Sequence, residues 1–173
     1  LGEALCTRFG CPGVFGNVFD VLVTSPTKRD AVDLYPVVVL AGEVTLTAEW
    51  GAKLAAYVDA GGTLVVTDGQ LSGPGVAALA LPPAGPVREA DALRWLPTPG
   101  DVPTQRYRYR PVPGGRPLAT AGNGDPVAAA FDRGNGRLVV VSVPLGLGLD
   151  GAASPLVGLV LAHARQGLLP VEV

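Results

Sequence analysis

YPVVVLAGEVTLTAEWGAKLAAYVDAGGTLVVTDGQ, residues 35–70, reads as strand, helix, strand, and that reading decides the fold. VVVL at 37–40 is a short, uninterrupted apolar run of mostly β-branched residues, the pattern of a strand buried on both faces of a parallel sheet. Thr47 then suits a helix N-cap, Glu49 puts a negative charge in the first turn, and Trp50, Leu54, Tyr57 and Val58 recur at helical spacing as one apolar stripe. Gly61 and Gly62 end that helix, and TLVVT at 63–67 repeats the buried-strand pattern. A crossover of this length between two buried strands is expected to be right-handed and to leave them parallel.

Working outward, FDVLVTSP at 19–26 reads as another strand, and KRDAVDLY at 28–35 as a short crossover leading into the opening unit. At least three parallel strands are therefore expected. A helix-like piece, LGEALCTRF, precedes them, whereas a doubly wound sheet usually begins on a strand. With no Met anywhere and Leu at position 1, the chain reads as part of something longer, its first strand lying upstream. Residues 71–113 read as a Gly/Pro-rich insertion, in which 71–87 and 94–103 are loops with at best one short helix near 76–79. Beyond it, two strand-like runs flank DRGNGR, and the Asn135-Gly136 pair predicts a hairpin joining 127–131 antiparallel to 137–143. Ser154 as N-cap, Pro155 at the first helical position and Gly167 as a stop define a closing helix. The predicted fold is α/β: one domain over 1–173, with three layers, a doubly wound and mostly parallel sheet, and an added antiparallel hairpin.

Composition narrows the function classes. The chain has 173 residues, enough for one domain with a substantial core. Its 13 basic and 15 acidic residues give a net charge of −2, so nothing global draws it to nucleic acid or to an anionic membrane. Although 48% of residues are hydrophobic, no apolar run approaches the roughly 20 needed to span a bilayer, and no signal-like N-terminus is present. These features describe a soluble chain with neither nucleic acid nor membrane as partner. Cys6, Cys11 and the single His163 are too few for a Cys/His zinc site, so neither metal nor cofactor is expected. A Cys6–Cys11 disulfide would imply a secreted or periplasmic location, and two free buried thiols would not, so the compartment stays open.

Several residues could carry a site. Glu43 and Asp68 follow the carboxyl ends of the two central strands, with Thr24, Ser25 and Gln70 near the same edge, where open α/β sheets place their ligand crevice. Such a carboxylate pair could do acid/base work if one pKa were raised; otherwise the two are solvated loop acids or helix caps. QRYRYRPV alternates strictly, putting Arg106, Arg108 and Arg110 on one face of a strand and Tyr107 and Tyr109 on the other. That is either an anion- or sugar-binding surface, with tyrosines for stacking, or a half-buried edge strand kept soluble by its arginines. GLGLDG at 146–151, with Glu172 beyond it, matches a dinucleotide fingerprint literally, but the strand before it belongs to a hairpin and the helix starts after its last glycine. His163 shares a helical face with Leu156, Leu159 and Val160 and reads as a core or interface histidine with no nucleophile to serve.

The succession FDVLVTS, LYPVVVLAGE, LAAYVDAGGTLVVTDGQ and PVAAAFDRGNGRLVVVSVP resembles the class I glutamine-amidotransferase-like (flavodoxin-like) superfamily over about residues 19–167. It is similar in particular to non-catalytic members found within larger glycoside hydrolases, such as the β-galactosidase trimerisation domain, and to ThuA-like proteins. In active amidotransferases the strand after this helix enters a turn carrying a nucleophilic cysteine backed by a histidine. Here the turn reads Thr67-Asp68-Gly69-Gln70-Leu71. Ser72 is not in a G-x-S-x-G elbow either. Without the nucleophile covalent catalysis is lost, so the resemblance implies a scaffold without catalytic residues: an accessory or oligomerisation domain of a carbohydrate-active protein. Its partners would be flanking domains of its own chain, further copies of itself, or carbohydrate. The competing expectation is a sugar-binding or hydrolytic module built on Glu43, Asp68 and the Arg/Tyr strand.

Overall fold

The computed structural model describes residues 32–40, 44–67, 71–81, 83, 85–143 and 155–166. The opening unit folds as its sequence predicts. Strand β1 (Val37–Val39), strand β2 (Val44–Thr45), helix α1 (Ala48–Asp59) and strand β3 (Thr63–Thr67) follow one another, and β1 lies parallel to β3 with Val38 opposite Leu64. Thr47 caps α1, its hydroxyl accepting from the Trp50 N–H at 3.2 Å. At the other end the Gly62 N–H donates to the Tyr57 carbonyl and the Gly61 N–H to that of Val58, a Schellman arrangement that needs Gly61 at φ +122°. The Tyr57 ring lies under Gly62, and its hydroxyl is 2.9 Å from the Tyr35 carbonyl and 3.3 Å from that of Thr63, which ties the helix to both strands. Burial pushes this phenol up to about 12.

Strand β4 (Leu71–Ser72) and a 3-10 helix (Pro74–Leu79) come next, followed by β5 (Arg88–Ala90), β6 (Leu93–Trp95), β7 (Gly100–Val102) and β8 (Tyr107–Tyr109). Strands β9 (Arg116–Ala121), β10 (Pro126–Arg133) and β11 (Gly136–Val141) and helix α2 (Pro155–Ala164) complete the described elements. Seven of these strands make one mixed sheet in the order β1-β3-β11-β10-β9-β6-β7. The β1, β3 and β11 neighbours are parallel, and every pairing from β11 outward to β7 is antiparallel. The antiparallel part is thus broader than the predicted hairpin alone. Two-stranded pairs β2-β4 and β5-β8 stand apart from this sheet.

Alternation along the strands sorts the core into two layers. Leu64, Val66, Leu138 and Val140 face α1 through Leu54, Tyr57 and Val58. Val65, Val139 and Val141 face the other way, toward Leu156, Val157 and Val160 of α2. This is the three-layer α/β arrangement expected, with β3 buried along its whole length. Strand β1, the last of the described sheet on its side, departs from the expectation: Val38 is buried, but Val39 is 37% exposed. The strand predicted at 21–23 lies outside those residues. None of the described helices is long and apolar enough to cross a membrane.

Two readings are corrected. The stretches read as loops at 71–87 and 94–103 hold more than the predicted short helix: β6 and β7 extend the main sheet, burying Leu93, Trp95 and Val102. Strands of three residues are too short to show a period, which is why Gly and Pro density dominated the sequence signal. The hairpin pairs as predicted, with Phe131 opposite Leu138, but its two turn residues are Gly134 and Asn135, one position earlier than Asn135-Gly136. Only Gly134 has positive φ, +55°, as a turn with glycine at its first central position requires. Docking explains the shift. The Asn135 N–H donates to the Asp59 carbonyl and the Arg137 N–H to that of Gly62, while a Cβ on Gly136 would lie 2.1 Å from the Val58 oxygen. The turn is seated against the end of α1.

Candidate functional site

Glu43, Asp68, Gln70 and Ser25 lie outside the described residues, as do Thr24, the GLGLDG segment, Glu172 and both cysteines. What can be described is the frame beside them. The Leu40 N–H donates to the Val65 carbonyl at 2.9 Å, which continues the β1-β3 pairing to the carboxyl end of β1. Val44 and Leu71, the residues that directly follow Glu43 and Gln70 in sequence, sit opposite one another in the parallel β2-β4 pair. Thr45 and Ser72 are also opposite, their hydroxyls 3.2 Å apart, and the Leu46 N–H donates to the Ser72 carbonyl at 2.8 Å.

The Arg/Tyr strand is fully described, and the structure separates its two faces as the alternation predicts. Among the described residues β8 pairs only with β5, Glu89 opposite Arg108 and Ala90 opposite Tyr107. Arg106 and Arg108 point outward and both pair with Glu89, the latter at 3.3 Å. Arg110 donates to the Gly85 carbonyl at 3.3 Å. The hydrogen bonds from Arg106 and then Arg108, with the charge of these two arginines, lower the Glu89 carboxyl pKa. Tyr107 and Tyr109 are only 3% and 2% exposed, with ring centroids 5.8 Å apart. Their ring faces are spent on the core, so the proposed stacking of tyrosines on a sugar has no accessible surface here.

Their hydroxyls are also engaged. Tyr107 donates to the Ala92 carbonyl at 2.9 Å, and burial pushes its phenol up to about 12. Tyr109 donates to Asp125 at 2.7 Å, a carboxylate that also accepts from Asn123 at 2.9 Å and from Arg88 at 2.6 Å. The tyrosine hydrogen bond, then that of Arg88, lowers the Asp125 pKa. Such carboxylates stay ionised and such phenols stay protonated near neutral pH, so neither suits general acid/base work. This network pins the β9-β10 turn to the β5-β8 pair.

His163 is a core residue, as its helical face predicts, and only 2% exposed. Its ring meets Trp95 edge-on at 6.1 Å, and its Nε2 lies 3.5 Å from an Arg116 nitrogen. Burial first, then the charges of Arg116 and Arg137, lower its pKa. Sequence reasoning missed Arg116 and Trp95 altogether. They stand 47 and 68 positions from His163, a separation that no local pattern bridges. Among the described residues no group of three His, Cys, Asp or Glu side chains could hold a metal ion.

No family model and no curated protein matches the chain. Solved structures do. A polyextremophilic β-galactosidase from the Antarctic haloarchaeon Halorubrum lacusprofundi is 15% identical, with a TM-score of 0.52, over 76% of this chain and 22% of that one. The β-galactosidase from Bacillus circulans sp. alkalophilus is 15% identical, with a TM-score of 0.50, over the same 76% and 22%. This chain therefore spans about a fifth of the length of the solved chains it matches. At such identity the likeness is one of fold: an α/β unit similar to part of a larger glycoside hydrolase.

Proposed function

We propose that this chain is a non-catalytic accessory or oligomerisation domain of a larger carbohydrate-active protein. The observation that carries the proposal is the match of three quarters of this chain to about a fifth of a β-galactosidase chain. The sequence supports it in a second way. The strand β3 exit reads TDGQ where the amidotransferase-like superfamily it resembles places its cysteine. On this reading its partners are flanking domains and further copies of itself, and its value lies in the surfaces it presents. Light scattering on the purified chain, with a parallel assay on nitrophenyl β-galactoside and β-mannoside, tests it. Self-association without turnover is expected. A strictly monomeric chain that hydrolyses either glycoside would overturn it.

A second reading is a sugar-binding or hydrolytic crevice that uses Glu43, Asp68, Gln70 and Ser25. It is favoured by the β2-β4 pairing, which begins directly after Glu43 and Gln70 in sequence. Glycan-array binding and turnover, measured for E43A and D68A beside the parent chain, decide it. Unchanged binding and turnover in both variants remove this reading.

A further inference from the structure

Glycine follows asparagine at two places in this chain, Asn123-Gly124 and Asn135-Gly136, while the remaining asparagine, Asn17, precedes valine. Asn-Gly is chemically labile, because a residue without a Cβ leaves its backbone nitrogen open to attack the preceding side-chain amide carbon. The first pair lies in the turn between β9 and β10, the second between β10 and β11, and both asparagines are exposed. Sequence and exposure therefore do not tell them apart.

Hydrogen bonding does. The Asn123 Oδ1 accepts from the Asp125 N–H at 3.1 Å and lies 3.2 Å from the Tyr109 hydroxyl, while its Nδ2 donates to Asp125 Oδ2 at 2.9 Å. Turning this amide toward Gly124 breaks the bonds at both of its ends. No hydrogen bond holds the Asn135 side chain among the described residues. Backbone restraint is common to both turns: the Gly124 N–H donates to the Ala121 carbonyl at 2.9 Å, and Gly136 sits opposite Arg133 where the β10-β11 ladder ends. The difference between them lies in the side-chain amide.

We propose that Asn135 is a site of spontaneous modification by water, converting to aspartate and isoaspartate in the folded chain, while the Tyr109–Asp125 network protects Asn123. The Gly136 nitrogen bonds to Asn135 Cγ, the Cγ–Nδ2 bond breaks, and Nδ2 leaves as ammonia with the Gly136 amide proton. Water then opens the cyclic imide at either carbonyl. One opening leaves an aspartate; the other routes the main chain through Cγ and lengthens it by a methylene. That methylene enters a turn with no slack, since the Asn135 N–H is held by the Asp59 carbonyl at 3.0 Å and the Arg137 N–H by that of Gly62 at 3.1 Å. A Cβ on Gly136 would stand 2.1 Å from the Val58 oxygen, so the turn cannot bulge on that side. Conversion therefore loosens the hairpin from the end of α1.

Cleavage after Arg133 puts the two asparagines in separate peptides, so mass spectrometry of the chain aged in mildly alkaline buffer reads each rate. In the folded chain Asn135 should convert about tenfold or more faster than Asn123. In concentrated guanidinium chloride, where the side-chain bonds are gone, the two rates should become alike. Ageing should also lower the urea midpoint of the parent chain and leave that of N135A unchanged. Equal rates in the folded chain, an intact Asn135 under conditions where the unfolded chain converts at both, or an equal loss of midpoint in aged N135A would each overturn the proposal.

Discussion

Two glycines lie inside the described α-helices, and the structure predicts opposite signs for replacing them. In a helix interior Gly is worse than Ala by about 1 kcal/mol, so propensity alone says that Gly51→Ala and Gly158→Ala both stabilise. Gly158 of α2 is exposed, and a Cβ there would meet nothing within 4 Å, so G158A should gain about 0.5–1 kcal/mol. Gly51 of α1 is buried against the 3-10 helix, where a Cβ would stand 2.1 Å from the Gly75 carbonyl oxygen and 2.5 Å from its Cα. Both obstacles are backbone, so no side chain can swing aside, and the two helices must part by about 1 Å. Overpacking of this kind costs about 1–3 kcal/mol, which outweighs the propensity gain. G51A should therefore lose up to about 2 kcal/mol net. Urea unfolding followed by circular dichroism measures both, and thermal midpoints should move by about 2–4 °C per kcal/mol in opposite directions. Stabilisation by G51A equal to that by G158A would refute the close approach of α1 to the 3-10 helix.

Other outcomes follow from single side chains. The His163 pKa is lowered on folding, so the unfolded chain binds a proton first as the pH falls below the ordinary 6.5. Stability should therefore be complete above that value and decline between it and the lower folded pKa, and H163L should flatten the decline in urea midpoints from pH 7 to 5. Arg133 donates to Asp59 at 2.8 Å and also to the Ala78 carbonyl at 2.8 Å, joining the hairpin to α1 and to the 3-10 helix. R133Q should accordingly destabilise more than D59N in the same denaturation assay, since D59N leaves the carbonyl bond intact; the reverse ranking would contradict the contact. Y109F keeps the buried ring but removes the hydroxyl that Asp125 accepts from, and should cost about 1–2 kcal/mol. An unchanged urea midpoint would show that the Asp125 network holds the turn without it.

Much of this molecule was legible because its signals are local. The Thr47 cap, the Leu54, Tyr57 and Val58 stripe and the paired glycines at 61 and 62 each act within one helix, and 3.6- and 2-residue periods report which face is buried. The same period separated Arg106 and Arg108 from Tyr107 and Tyr109. It could not say which face met the core at a place where both carry large side chains. Burial of the tyrosine rings removed the sugar-stacking role, and Glu89, 17 positions from Arg106, became the arginines' partner.

By itself, then, the sequence determined the strand-helix-strand unit at 35–70, the hairpin, the closing helix from Pro155 and the absence of a cysteine at the β3 exit, because each depends on residues within about a dozen positions of one another. Tertiary structure alone decided that β6 and β7 join the main sheet, that the hairpin turn falls at Gly134-Asn135 against the end of α1, and that His163 meets Arg116 and Trp95. These are contacts between segments remote in sequence. They arise from which surfaces bury one another once the sheet has formed, and no periodicity along the chain encodes that choice.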